Sequence, residues 1–400
     1  MEYDLVFEGG GAKGMVFVGA LAEFYQRDHT VGRILGTSAG AITAALTAAG
    51  YTTDEMLAAL NEQDSEGKPV FTGFMASPGN FSDDLIENGA FSKLLHNFDI
   101  PYVPTMIEQV LKNIVLKFFA EKKPANNLFS LVERGGWYSA DNFLTWMQQK
   151  LDQGTFNGQP RRFSNLTLAQ FHAETGKDLT LIAADTTSEI MLVLNHRTAP
   201  DCPLVWAVRM SMSIPLLWQE VIWQPDWGAY RGKDISGDAV VDGGLLSNFP
   251  IELFISHDPQ ITAVMGEKHH NNVLGFLIDE KLPVPGAEAS VQEARSGIDI
   301  AELQTVKRLS GLMNTVLGAR DKSVISAFED LVVRLPAKSY GTVEFDMSDQ
   351  RRSLLVEAGR QSMQTYFKSL AEPSRSPSPT PVQMTPQGMA DRMAERMLQQ

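Results

Sequence analysis

Four hundred residues, 44% of them hydrophobic, carry 34 Lys and Arg against 48 Asp and Glu, a net charge of −14. Such a chain can bury a large core as a folded acidic protein, and its negative surplus argues against a nucleic-acid partner, which needs a basic stripe to displace counterions. One cysteine, Cys202, excludes an internal disulfide framework and a cysteine-based zinc site, fits folding in a reducing compartment, and reads as a small buried hydrophobe.

From Met1 to Phe7 the chain is acidic where a secretory leader needs basic residues, so no cleavable signal is expected. No run of about 18 apolar residues is present to span a membrane. The expected location is the cytoplasm, or outside the cell by a route without a cleavable signal, with membrane contact peripheral and largely apolar. Tyr3 to Phe7 reads as a strand, Glu8 to Gly14 as a Gly-rich turn, and the stretch from Met15 through Ala22 as a helix. Arg33 to Leu35 is a second strand, ended by Gly36-Thr37-Ser38-Ala39-Gly40 and an Ala-rich helix to Ala49. Between about residues 61 and 136, Gly67, Pro69, Gly73, Pro78, Gly79, Pro101, Pro104 and Pro124 break the alternation, which marks an insertion lying over the sheet. A helix follows over 139–151, then strands over 179–184 and 191–195, an apolar segment over 204–218, and Ala239-Val240-Val241 before Asp242-Gly243-Gly244. Residues 273–278 form a further strand, with helices over 298–317 and 348–367. Strands separated by helices predict an α/β fold whose mainly parallel sheet is covered on both faces. The boundaries read as one unit over 1–370 and a tail over 371–400, with a Pro/Ser linker from Pro373 to Pro381.

Gly9-x-Gly11-x-x-Gly14 satisfies the dinucleotide-binding spacing. That function needs an acidic residue ending the second strand to hold the ribose, and here the strand ends in Gly36-Thr37-Ser38. The phosphate loop also fails, since Lys13 precedes Gly14 rather than Ser or Thr. A physical property remains: successive glycines between a strand and a helix let backbone amides converge at the positive helix end, which receives an anion or an oxyanion.

Gly36-x-Ser38-x-Gly40 matches the turn that lifts a serine hydroxyl out of a sheet onto a helix N-terminus. A helix N-cap serine is the plainer alternative. Context favours a nucleophile, because the motif follows a strand, opens a helix, and comes one α/β unit after the Gly-rich loop. A serine hydroxyl needs a base. Asp242 is the candidate, at the carboxyl end of an apolar strand and before Gly243-Gly244, where open α/β sheets place their sites. A histidine intermediary would have to be His257, His269 or His270, the three that follow Asp242, and a Ser-His-Asp esterase of the α/β-hydrolase class is the alternative. A scaffold that keeps the fold only for binding is a second alternative.

Gly9-Gly10-Gly11-Ala12-Lys13-Gly14, Gly36-Thr37-Ser38-Ala39-Gly40 and Asp242-Gly243-Gly244, in that order, resemble the motifs of the patatin-like phospholipases. Arg209 to Pro215 resembles the Ser-rich segment before the family's Asp strand, and Asn248-Phe249-Pro250 follows it. The resemblance covers about residues 3 to 280, more loosely to 370. It implies a three-layer α/β/α sandwich and hydrolysis of lipid acyl esters, with phospholipid or another lipid ester as substrate. Ser38 is the implied nucleophile, Asp242 the sole base, and the amides of Gly9, Gly10 and Gly11 the oxyanion hole. Neither metal nor cofactor belongs to that chemistry. The long insertion leaves the cleft's shape open.

Ile107, Val110, Leu111, Ile114, Val115 and Phe118 fall on one helical face, with lysines beside them. The face reads as packing on the sheet, with a lid that meets lipid as the alternative. Trp218, Trp223 and Trp227 read as core. In the tail, Met389, Met393 and Met397 recur every four residues beside Ala390, Ala394 and Leu398. So short a helix needs a surface to fold against, either a protein partner or lipid; otherwise it is a disordered terminus.

Overall fold

The apolar runs after Glu2 and Arg33 form adjacent parallel strands, β1 (Glu2–Phe7) and β2 (Thr30–Thr37), each followed by a helix, α1 (Val16–Gln26) and α2 (Ala39–Ala48). The computed structural model describes residues 1–79, 81–96, 112, 125–287, 327–371, 388 and 390–391. Six further strands complete the main sheet: β3 (Leu179–Asp185), β4 (Ile190–Leu194), β5 (Val221–Ile222), β6 (Ala239–Asp242), β7 (Val273–Pro283) and β8 (Val332–Lys338). Their order is β8-β7-β1-β2-β3-β6-β5, with β4 also paired to β3. The run from β8 to β3 is parallel, while β4, β5 and β6 join antiparallel.

Side-chain alternation divides the core. Leu5, Phe7, Ile34, Leu181, Phe276 and Leu335 point into one cluster, under α1, α2 and the long helix over Asp349–Ala371. Val6, Leu35, Ile182, Val193 and Leu277 point into a second, which also holds Phe254, Ile261, Val264 and Met265 from the helices over Glu252–Ile255 and Pro259–Met265. Both faces of the sheet are therefore covered, in three layers. Every residue of β3 is buried, as a strand covered on both faces requires. Strands β5 and β8 were not anticipated, because β5 is two residues long and β8 carries Arg334 and Pro336 within its apolar pattern.

The described residues of the insertion lie against the same core. Its Val70–Met75 turn seats Phe71 and Phe74 on Trp146, each with ring centres 5.4 Å away. Where the insertion ends, Gly136–Tyr138 pair in parallel with Leu216–Trp218. Cys202, Trp218, Trp223 and Trp227 are all buried. The amphipathic face over 107–118, the helix over 298–317 and the tail methionines lie outside the described residues. Of the tail, Ala390 is buried in the second cluster, and Asp391 Oδ1 accepts from Ser256 Oγ and the His257 amide, both at 2.7 Å. No helix among the described residues is long and apolar enough to cross a membrane.

Candidate active site

The site is built where two strands meet end to end on one edge of a third. Strand β2 runs along β3 until Thr37 pairs with Ile182. Strand β6 comes from the other direction until Asp242 pairs with Ala183, the next residue. Strand β4 pairs with Ile182 and Ala183 as well and so takes the opposite edge. The ends of β2 and β6 thus converge, which brings Ser38 and Asp242 together from positions 204 residues apart.

Ser38 turns the chain from β2 into α2 at φ 55°, ψ −122°, a conformation that costs a non-glycine residue about 1–3 kcal/mol. Its neighbours have to be glycine. A Cβ on Gly36 would lie 2.2 Å from the Gly40 carbonyl oxygen, and one on Gly40 would lie 2.3 Å from that of Phe7. Ser38 is 6% exposed, and its amide donates to Ser211 Oγ at 3.0 Å. Ser211 Oγ donates in turn to the Ile182 carbonyl at 2.5 Å.

Asp242 is 3% exposed, and its amide donates to the Ser213 carbonyl at 2.9 Å. Oδ1 accepts from the Gly244 amide at 2.8 Å, whereas Oδ2 is buried and has no hydrogen-bond partner among the described residues. Burial pushes the carboxyl up to about 7, against the Ser38 hydroxyl and the Gly244 amide, which pull it down. The Ser38 hydroxyl therefore acts on the carboxyl, but no hydrogen bond of ordinary geometry reaches Oδ2. Gly243 is held against β3, where a Cβ would lie 2.4 Å from the Ile182 carbonyl oxygen. The segment carrying Ser211 and Ser213 is pinned by buried Arg209, which donates to Ser213 Oγ and, at 2.8 Å, to the Gln219 carbonyl. Burial lowers this guanidinium to about 10.

The Gly-rich loop closes the third side. A Cβ on Gly9 would lie 3.0 Å from Ser38 Cβ, and one on Gly14 2.8 Å from Ala39 Cβ. The Gly9 amide donates to the Asn248 carbonyl at 3.2 Å, and Asn248 Nδ2 returns a bond to the Gly9 carbonyl at 2.9 Å. Asn248 Nδ2 also donates to Glu8 Oε1 at 3.3 Å, while Glu8 Oε2 accepts from the Ile278 amide at 2.5 Å. Of the three loop glycines, Gly9 therefore spends its amide on the protein, while Gly10 and Gly11 make no amide hydrogen bond among the described residues. Gly11 sits at φ +56°, where a Cβ would lie 2.1 Å from the Thr342 carbonyl oxygen. That carbonyl accepts from the Ala12 amide at 2.8 Å. Lys13 is buried and ion-paired with Glu280, so it braces the loop from behind.

An apolar pocket of about 80 Å³ opens beside Ser38. Ala39, Ile42, Thr43 and Leu46 form one wall, one face of α2, and Met15, just before α1, and Val18 of α1 stand among the other lining residues. Phe71, Phe74, Trp146 and Trp218 supply aromatic surface. Among the described residues no Lys, Arg or His lines it.

The three histidines considered for a triad lie elsewhere. His257 and His269 are exposed. His270 Nε2 is 3.8 Å from Asp4 Oδ1, on the far end of β1, a strand's length of about 10 Å from the Gly-rich loop. No histidine among the described residues hydrogen-bonds to Ser38 or Asp242.

Sequence reasoning singled out Ser38, Asp242, Gly36, Gly40, Gly243, Gly244 and the Gly-rich loop, and these do come together. It missed the tasks of Glu8, Ser211 and Thr342. A carboxylate directly after the apolar run Leu5-Val6-Phe7 marks Glu8, but nothing in the local pattern marks Thr342.

A family model described as patatin-like phospholipase matches residues 5–255. The chain belongs to that family. It is 27% identical over 375 residues to the uncharacterized protein YqhO of Bacillus subtilis (strain 168), covering 92% of this chain and 99% of that one. It is 23% identical over 284 residues to the uncharacterized protein R571 of Acanthamoeba polyphaga mimivirus, covering 70% of each. Among solved structures, VipD from Legionella pneumophila is similar at a TM-score of 0.44 and 18% identity, over 92% of this chain and 67% of VipD. In this patatin-like chain the Gly-rich loop, the serine turn and the Asp-Gly-Gly turn all lie within the matched residues, whereas β7, β8 and Thr342 lie beyond them.

Proposed function

We propose that the chain hydrolyses carboxylic esters of membrane phospholipids, a phospholipase A type of reaction, with Ser38 as nucleophile and Asp242 as the sole general base. Asp242 Oδ2 takes the Ser38 hydroxyl proton as Oγ attacks the ester carbonyl. The Gly10 and Gly11 amides receive the oxyanion, each such donor contributing about 2.7–4 kcal/mol to the transition state. The carboxyl then returns the proton to the departing alcohol. Water, deprotonated by the same carboxylate, releases the fatty acid from Ser38 and completes the cycle.

The observation that carries this reading is Asp242 itself: a buried carboxyl with one oxygen unpaired, raised to about 7 beside a serine at a strained turn. A general base works best when its pKa lies near the working pH. The apolar pocket suits acyl chains, and a chain with this chemistry works peripherally at a bilayer. Two measurements test it: labelling by a fluorophosphonate, and release of fatty acid and lysophospholipid from phosphatidylcholine vesicles. Both should vanish in Ser38→Ala. Vesicle hydrolysis that survives Ser38→Ala would overturn the assignment.

A further inference from the structure

Asn248 grips the first glycine of the Gly-rich loop from both sides. Its carbonyl accepts from the Gly9 amide at 3.2 Å, and its Nδ2 donates to the Gly9 carbonyl at 2.9 Å. The same Nδ2 donates to Glu8 Oε1 at 3.3 Å, while Glu8 Oε2 accepts from the Ile278 amide of β7 at 2.5 Å. Two acceptors therefore fix which end of the side-chain amide faces the loop. A Cβ on Gly9 would lie 2.1 Å from Asn248 Oδ1, so a side chain there would push this amide off the loop. The Ser247 amide donates to the Gly243 carbonyl at 3.0 Å, and the turn that carries Asp242 thus carries this brace as well.

A trans peptide is planar, so its carbonyl and the N–H that follows point in opposite directions. Holding the Gly9 carbonyl therefore aims the Gly10 amide. The two open amides of the loop differ in what aims them. The Gly10 carbonyl accepts from the Lys13 amide at 3.3 Å, beside the turn over Gly11–Met15, which orients the Gly11 amide through the backbone alone. The Gly9 carbonyl has no backbone donor among the described residues, and its donor is Asn248 Nδ2. Glycines on both sides leave rotation of the Gly9–Gly10 peptide almost free of steric cost. Rotated by half a turn, that peptide would present its carbonyl oxygen where the Gly10 amide stands.

We infer that Asn248, oriented by Glu8, is a positioning residue for the oxyanion: it keeps the Gly9–Gly10 peptide turned so that the Gly10 N–H, and not the Gly9 carbonyl oxygen, meets the developing charge. A hydrogen-bond donor is required at this position, and a carbonyl oxygen in its place would repel the oxyanion. Asn248 acts through the peptide and not on the ester itself. The inference rests on the hydrolase reading, since it takes the Gly10 amide as an oxyanion donor.

The test compares inhibition by two ketones alongside turnover of a p-nitrophenyl ester. An alkyl trifluoromethyl ketone adds the Ser38 oxygen at its carbonyl carbon, whose π pair becomes an oxyanion as Asp242 takes the hydroxyl proton; the matching methyl ketone binds as a ketone. In Asn248→Ala and Asn248→Leu, kcat should fall about 100- to 1,000-fold, as after loss of one oxyanion donor, while KM changes little. Inhibition by the trifluoromethyl ketone should weaken in proportion to kcat/KM, and inhibition by the methyl ketone should stay the same. Glu8→Gln should show the same split to a smaller degree. The ratio of the two inhibition constants is independent of the fraction of molecules folded, so it reports on the loop even in a destabilised variant. The midpoint of the kcat/KM profile near pH 7 should stay in place, because the base is untouched. Unchanged kcat, equal weakening of both ketones, or a displaced midpoint would each overturn the assignment and leave the hydrolase reading intact. A parent protein that hydrolyses no ester would remove that reading, and this inference with it.

Discussion

The amide of Ser38 donates to Ser211 Oγ at 3.0 Å, at the point where the ladder between β2 and β3 stops. Ser211 Oγ passes the bond on to the Ile182 carbonyl, so one hydroxyl bridges a donor and an acceptor at the strand's end. In Ser211→Ala both groups stay buried without partners, which costs about 1–3 kcal/mol. The turn at Ser38 also loses its anchor. We expect urea denaturation to show that loss of stability, and kcat to fall at least ten-fold while KM changes little. Unchanged kcat would mean that the turn holds its geometry without Ser211.

Asp242 predicts a pH profile with a definite sign. Its carboxyl must be ionised to act as base, so kcat/KM should rise with pH through about 7 as a single ionisation. Stability runs the other way. The folded-state value lies above the unfolded value of about 3.9, so the native state holds the extra proton between the two and loses stability as pH rises toward 7. Asp242→Asn should therefore abolish turnover, flatten this slope and raise the melting temperature above neutral pH. A variant that melts lower than the parent above pH 7 would show that the carboxylate is not held at a cost.

Much of this site could be read from the sequence because glycine is a local signal. Gly36, Gly40 and Gly243 each stand where a Cβ would strike backbone. Strand and helix periodicity likewise placed β1, β2, β3, β6 and β7 to within a few residues. The supporting contacts were less legible, because they join positions far apart in the chain. The Thr342 carbonyl reaches Gly11 and Ala12, and the Ile278 amide reaches Glu8, only once β7 and β8 have added to the edge of β1. The unanticipated β8 is therefore why the closure of the Gly-rich loop was missed. The hydrogen bonds of the two tryptophans that line the pocket were hidden for a related reason, since the partners of Trp146 and Trp218 lie 84 and 144 residues away.

Replacing His257, His269 and His270 together by Gln should leave most turnover intact. Two of them are exposed, and the third sits near Asp4, at the opposite end of β1 from Gly9. A drop in kcat comparable with that of Ser38→Ala would restore a histidine to the mechanism.

Gly10 and Gly11 separate catalysis from folding. Gly11→Ala meets a positive φ and the Thr342 backbone at once, so it should cost on the order of 1–3 kcal/mol and disorder the loop. In Gly10→Ala the new methyl meets only Ile278 Cδ1, the movable end of a side chain, so the melting temperature should fall far less. Both should lower kcat more than they raise KM, as loss of an interaction made in the transition state does. Normal turnover in both variants would remove the loop from the reaction.

Asp391 offers a prediction about the tail that is independent of catalysis. Its Oδ1 accepts from Ser256 Oγ and from the His257 amide, and its neighbour Ala390 is buried among residues such as Phe254 and Met265. Hydrogen bonds to a carboxylate contribute about 1.5–3 kcal/mol each where they are protected from water, and less where the group is half-exposed, as here. Asp391→Ala should therefore destabilise the fold by about 1–2 kcal/mol. Truncation after Glu372 should cost more, because it also uncovers the apolar surface beneath Ala390. Hydrogen exchange should rise first in Glu252–Ile255 and in the His257 amide. Hydrolysis of a soluble short-chain ester should be unchanged in both variants, because neither Ala390 nor Asp391 lines the pocket beside Ser38. If exchange over residues 252–257 is the same with and without the tail, these residues do not hold it to the second layer in solution.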